Sequence, residues 1–230
     1  MNEKKLTAAV LSAALIASSA ILAVGFKGIM HSERTVSVRG LDEREVDADT
    51  AVWNLSFSLG GNDLPTLQKN VLSATESVKA FLASHGLSSD DVSVLAPHIT
   101  DTTVNIYADA SKQKFAYVAR QPFLVRTANI AAVKEAYAST LELMGKDISV
   151  SDSYVQYLFD GLNDIKPAMI QAATENARLA AEQFAKNSHS KVGKIQSATQ
   201  GLFTIDDAAP GLEERKKVRV VTTVVYALAD

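Results

Sequence analysis

Apolar and polar residues alternate along Val52–Leu59: Trp53, Leu55, Phe57 and Leu59 fall on one side, Asn54, Ser56 and Ser58 on the other. A period of two predicts a strand in a sheet with one buried and one polar face. A shorter strand is expected just before it, at Val36–Gly40. After Gly60-Gly61 the period changes. Leu64, Leu67, Val71, Ala74, Val78, Phe81 and Leu82 form a helical stripe, with the 3.6-residue spacing of a helix that buries one face. Asp63 is suited to cap it, Pro65 to sit in its first turn and Gly86 to end it. Strand signals return at Val92–Tyr107, broken by Pro97, and at Phe115–Arg126 after the polar turn Asp109–Lys114.

The second half repeats this layout. Asn129 caps a helix predicted to turn Ile130, Val133, Tyr137, Leu141 and Met144 inward, with Gly145 at its end. A strand follows at Ile148–Phe159, and Asn163 or Asp164 opens an alanine-rich helix. Its apolar stripe is Ile170, Ala173, Ala177, Ala180, Ala181 and Phe184. Small side chains let a helix axis come close to a sheet, so this helix is expected to pack hard against strands. Its other face carries Glu175, Arg178, Glu182 and Lys186, neighbours of alternating sign. Strands are predicted at Val192–Phe203 and Val218–Leu228, separated by a loop at Thr204–Lys217. The last strand is β-branched on both faces. Such a strand is either central in its sheet or an edge that pairs with a second copy. The order ββαββαβαββ predicts an α+β fold, with three main helices on one face of a largely antiparallel sheet.

The first residues change the picture. Leu6–Phe26 is an uncharged run of about 21 residues behind Lys4 and Lys5, and as a helix it covers roughly 31 Å, the thickness of a bilayer core. Its length favours an uncleaved signal anchor. Ser18-Ser19-Ala20, or more weakly Ala23-Val24-Gly25, offers the alternative of a cleaved signal. Either reading exports the remainder, because Lys4 and Lys5 hold the N-terminus in the cytoplasm. The expected organisation is a cytoplasmic tip, anchor (6–26) and linker within residues 1–34, and one domain over 35–230. The expected location is the bacterial inner membrane with the domain in the periplasm, or the soluble periplasm if the signal is cleaved. There is no cysteine, so disulfides contribute nothing and a lipoprotein anchor is excluded. Hydrophobic residues at 47% and charged residues at 21% describe an ordinary globular chain. With a net charge of −3, the only basic cluster is Arg215-Lys216-Lys217 with Arg219, which reads as a solvated strand face and not as a nucleic-acid site.

With its elements placed, the chain resembles the SIMPL-domain family of bacterial envelope proteins over about residues 35–230. The resemblance rests on Val36-Ser37-Val38-Arg39-Gly40, on Gly86-Leu87-Ser88-Ser89-Asp90-Asp91-Val92, and on Tyr117 and Gln121 in a central strand. Its most recognisable block is Ala173…Asn176-Ala177-Arg178…Ala181-Glu182…Ala185, followed by Val192-Gly193-Lys194-Ile195. Ala116 and Ser188-His189-Ser190 stand where the family commonly has glycine. The resemblance implies an exported, often membrane-associated protein that self-associates, in some members linked to oxidative-stress tolerance; an animal relative is associated with kinase signalling. It supplies no agreed catalytic residues.

The residues themselves point to no reaction. Of the four histidines, only His98 merits weighing, with Asp101 three residues on, yet that separation on a strand sends the two to opposite faces. No zinc-protease or nucleophile-elbow motif occurs. Asp90-Asp91 and Asp206-Asp207 read as solvated loops, and Arg178 as an ion-pair partner of Glu175 and Glu182 or a buried anchor. No catalytic, cofactor-binding or metal-binding residue and no cofactor is expected. The expected function is that of a non-enzymatic, membrane-anchored envelope protein with a self-assembling or partner-binding domain and a homo-oligomeric state. The alternative is a periplasmic small-molecule binder or hydrolase with a pocket between the two halves of the domain.

Overall fold

The computed structural model describes residues 18, 19, 34–104 and 114–229. The run Leu6–Phe26, apart from Ser18 and Ser19, lies outside them, as do His31 and the stretch 105–113. Among the described residues no helix is long and apolar enough to cross a membrane. The elements are β1 (Thr35–Asp47), β2 (Thr50–Gly61), α1 (Leu64–Ser84), β3 (Val92–Val94), β4 (His98–Asp101), β5 (Tyr117–Thr127), α2 (Ile130–Ala138), a 3₁₀ turn (Thr140–Lys146), β6 (Val150–Leu158), α3 (Leu162–Asn187), β7 (Lys191–Gln200), β8 (Thr204–Asp207) and β9 (Arg215–Ala229). The fold is α+β with antiparallel sheets. There are two sheets rather than one: β1-β9-β7 with β8 also on β9, and β3-β5-β2-β6 with β4 also on β5. The chain forms two compact units, Glu43–Met169 with Phe203–Val220, and the described residues up to Asp42 with Ile170–Leu202 and Val221 onward.

The larger unit is built on the five-stranded sheet. Register pairs Leu55 with Phe123 and Trp53 with both Val125 and Val155, so the predicted apolar side of β2 lies in a continuous apolar face. Buried Leu67, Val71, Val78, Phe81 and Leu82 of α1 and Val133 of α2 cover it. The Trp53 indole N–H donates to Ser153 Oγ at 3.0 Å, so the largest core side chain leaves no polar group stranded. The caps act as read: Asp63 accepts from Thr66 N at 3.0 Å and Asn129 from Ala132 N at 3.2 Å, and Gly86 takes φ +80°.

The strand signals at Val92–Tyr107, read as broken at Pro97, are two short strands on either side of it, β3 and β4, with 105–107 outside the described residues. Three expectations for this unit are corrected. The helix after Asn129 stops at Ala138 and gives way to the 3₁₀ turn. Three residues per turn shifts the phase, burying Leu143 and leaving Leu141 (74% exposed) and Met144 outward, while Tyr137, still within α2, rests edge-on against the Trp53 ring at 5.9 Å. β1 runs to Asp47 rather than Gly40, because its acidic second half lies beside the basic start of β9: Arg215 is 3.5 Å from Asp47, and Arg219 3.5 Å from Glu43. The basic cluster is therefore neutralised across strands, with Lys216 turned inward and bonded to Asp207. That second carboxylate of the Asp206-Asp207 pair stands on β8, not in a loop.

One polar corner ties the β1–β2 turn to the end of β6. The Asp49 carboxylate accepts from the backbone N–H of Asp160 at 2.9 and 3.0 Å and of Gly161 at 2.8 Å, and from the Thr50 hydroxyl at 3.1 Å. Desolvation pushes its pKa up, but those donors prevail and hold it below the usual carboxylate value of 3.8.

In the smaller unit the alanine stripe behaves as predicted in kind and differs in detail. The buried positions are Ala173, Ala177, Ala181 and Ala185, a strict four-residue repeat, and Phe184 is 61% exposed. Ala177 and Ala181 pack with Val38, Val224 and Tyr226. At Gly40 the approach reaches backbone on backbone: a Cβ there would lie 1.8 Å from Ala173 O and 2.5 Å from Ala177 N. β9 is central in its sheet, the first of the two placements open to the last strand. α3 ends with Ser190 N donating to Ala185 O and His189 N to Lys186 O. His189 takes φ +54°, the left-handed region in which a glycine would carry no strain.

Four outcomes are expected in denaturant unfolding. Gly40→Ala, which places a methyl group against helix backbone, destabilises by about 3 kcal/mol or more. Gly145→Ala, with nothing within 4 Å, stays within about 0.5 kcal/mol or stabilises. His189→Gly relieves a left-handed side chain and stabilises by about 1 kcal/mol. Asp49→Ala costs about 1–3 kcal/mol at neutral pH. Because the Asp49 pKa is lowered by folding, its contribution is full above the unfolded value and lost as pH falls through the folded one. Wild type and Asp49→Ala therefore converge in stability in acid.

Candidate functional site

The site begins with two prolines. Pro97 interrupts the edge strand, so β3 pairs with β5 at Phe123–Val125 and β4 pairs with it at Tyr117–Arg120. Between them Pro122 accepts from Leu95 N at 3.1 Å, so its own nitrogen, which carries no proton, faces the same gap. The Gln121 side chain closes the break. Its Nε2 donates to Leu95 O at 2.6 Å and to Pro122 O at 3.1 Å, and the residue is 4% exposed.

Beside this break, α1 and the β3–β4 segment enclose a groove of about 680 Å³. Leu64 and Leu72 of α1 form one wall; Val94, Leu95 and Ile99 form the other. Leu67, Val71, Ala119 and Gln121 form the buried floor. Leu64, expected to face inward, is exposed and belongs to this wall. Apart from the exposed Gln68 carboxamide, the polar side chains in the lining are committed elsewhere. The Thr75 hydroxyl donates to Val71 O at 2.7 Å, and Glu76 and Lys79 pair with each other at 2.9 Å on the rim. A volume of this size with apolar walls and a single polar group on its floor is the ordinary form of a ligand pocket. It offers binding surface and no nucleophile beside a base.

Two other concavities mix polar and apolar side chains. A cleft of about 840 Å³ lies between α3 and β7, lined by Gln171, Glu175, Arg178, Ile195 and Tyr226. Arg178 is exposed and its Nε donates to Glu182 at 2.9 Å, a bond that raises its pKa. It anchors nothing buried. A smaller recess of about 380 Å³ lies near Tyr157, Asp160, Asp207 and Lys216. Around Tyr157, Arg126 pairs with Asp160 at 2.8 Å and Lys134 with Glu214 at 2.9 Å. Desolvation, then the charge of Glu214, pushes the Tyr157 phenol up, and hydrogen bonding to Lys134 holds Glu214 low.

The residues weighed for chemistry are dispersed. His98 stands exposed on β4 opposite Arg120, whereas Asp101 accepts from Thr103 N and Oγ1 at 2.9 and 2.6 Å and stays in its turn. His85 packs on the Phe81 ring with centroids 4.6 Å apart. Asp91 accepts from Ser88 N and Oγ. Among the described residues no three His, Asp or Glu side chains gather as metal ligands. The groove itself was not anticipated from the sequence. Its signal was Leu72, an apolar residue off the α1 stripe, together with Ile99 just past Pro97.

No curated protein matches the chain. A family model described as SIMPL, protein of unknown function (DUF541), matches residues 36–226, which takes in β1 through β9 and every groove residue. The chain therefore belongs to the SIMPL family.

Proposed function

We propose that this chain is a non-enzymatic envelope protein, held in the bacterial inner membrane by Leu6–Phe26, whose SIMPL domain acts in the periplasm by binding a partner. The observation that carries the binding reading is the groove beside α1. Its walls are aliphatic, its ionic groups are paired, and its floor carboxamide is already bonded. Such a lining rewards apolar contact and provides no proton-transfer pair. The anchor is supported by the length of Leu6–Phe26 and by charges that stand only at its flanks, Lys5 and Lys27. The family's association with stress tolerance supplies the phenotype in which loss of the partner would be sought.

Self-association, which the family resemblance implies, is a second reading. With β9 central, the strands at sheet edges include β6 and β7, and β7 is exposed at every position except Val192. Those edges, and not β9, are where a second copy would pair.

Fractionation of cells expressing the full chain tests the proposal. The expected result is an intact N-terminus in the membrane pellet, resistant to alkaline wash, with the domain open to protease only once the outer membrane is breached. A mature N-terminus between residues 20 and 30 in the soluble periplasmic fraction would overturn the anchor and leave the cleaved alternative. Native mass of the detergent-extracted chain reads the second interpretation directly.

A further inference from the structure

We infer that the cleft between α3 and β7 takes a short extended polypeptide segment with a basic side chain, which adds as a strand to the free edge of β7. The cleft lies wholly within the smaller unit and is separate from the groove beside α1, so the inference does not rest on that groove. β7 pairs with β9 alone. The β7 side of that ladder holds two extra residues, one between Val192 and Ile195 and one between Ile195 and Ser197. A bulged residue is left unpaired by the ladder, and Gly193 and Ile195 of this irregular stretch line the cleft. That wall therefore offers backbone donors and acceptors, the groups with which an added strand pairs.

The α3 wall supplies side-chain chemistry. Gln171, Glu175, Arg178 and Glu182 stand three or four apart, on one ridge. Arg178 is paired with Glu182, and the Thr174 hydroxyl is spent on Ile170 O. Glu175 forms no ion pair and the Gln171 carboxamide no hydrogen bond among the described residues. The ridge thus keeps one uncompensated negative charge, which a cation on the occupant complements; Lys194 of β7 is outside the lining. Tyr226 of β9 lines the cleft at only 4% exposure, and its hydroxyl has no hydrogen-bond partner among the described residues. Leu179 and Ile195, 60% and 52% exposed, add apolar contact. An aliphatic ligand would leave the strand edge, the carboxylate and the phenol unanswered, whereas an extended peptide answers all three. From Gln171 to Glu182 the ridge is about 17 Å long, room for about five extended residues. The same bulges argue against a second copy here. They bend an edge away from a long, rigid partner strand, while a short free segment can follow the twist.

The test uses the full chain, in detergent if its N-terminus stays attached, and an array of blocked, fluorescent heptapeptides randomised at every position. The selected peptides are expected to carry Lys or Arg and to bind with Kd of about 10–100 μM. N-methylation of alternate amides reads the mode of binding. Methylating the set that turns toward β7 should abolish binding, and methylating the other set should leave it within about twofold. Glu175→Lys should weaken the selected peptides about tenfold or more and shift selection toward acidic residues, with unchanged circular dichroism. Leu179→Asp, on the same wall, should weaken them likewise and serves if the first variant fails to fold. Selection with no basic preference, methylated sets that behave alike, or a folded Glu175→Lys variant that binds as before overturns the inference. So does the absence of any peptide binding tighter than about 1 mM. Protection of β7 amides that grows with protein concentration in the chain alone places a second copy on that edge and overturns it too. Leu72→Lys, in the groove beside α1, should leave peptide binding unchanged, so failure at one site is read apart from failure at the other.

Discussion

Two prolines that cannot donate to a β-ladder set the terms for the groove. Pro97 ends one edge segment and Pro122, on the neighbouring strand, withholds the N–H that a continuous strand would have needed at the same place. A sheet edge broken in this way would ordinarily strand backbone carbonyls. Here Gln121 supplies the missing donors, bonding Leu95 O and Pro122 O, so the break is stable without being filled. Aliphatic side chains then flank a gap that neither the sheet nor α1 occupies. The groove is the consequence of satisfied hydrogen bonds over incomplete packing.

The other unit is organised by the opposite condition, close packing of α3 on β1. Gly40 and the alanine repeat of α3 bring backbone into contact with backbone, and side chains of ordinary size have no room there. The repeat of Ala173, Ala177, Ala181 and Ala185 is therefore a steric requirement of β1 at Gly40. The outer face of α3 meets no such requirement and carries solvated ion pairs such as Arg178–Glu182, worth little to stability. That contrast explains why the most recognisable block of the sequence identifies a family without identifying a reaction. It records close packing, and close packing is silent on chemistry.

Much of the fold was legible because its signals are local. The alternation in β2, the stripe and caps of α1, and the alanine face of α3 each lie within one element. What was not legible depends on neighbours in space. The sequence of β1 beyond Gly40 has no clear apolar alternation; its acidic residues make sense only beside Arg215 and Arg219 of β9. β8 is a polar strand that exists through pairing with β9. Leu141 and Met144 were misplaced because a 3₁₀ turn replaced the last helical turns, a change of period that single-helix reasoning does not foresee. The left-handed His189 was partly legible, since it stands where the family resemblance expects glycine. The groove was the least visible, because it required knowing that Leu64 and Leu72 of one element stand across from Val94 and Ile99 of another.

The central claim, that the groove beside α1 is where this protein meets its partner, is tested most directly by hydrogen–deuterium exchange on the full chain with and without a neutral single-chain amphiphile. The account predicts slower exchange confined to Leu64–Lys79, Val92–Asp101 and the Gln121 region of β5, with α3 and β7 unchanged. Protection that appears along α3 and β7 while the amides beside Pro97 and Gln121 exchange as before would contradict it.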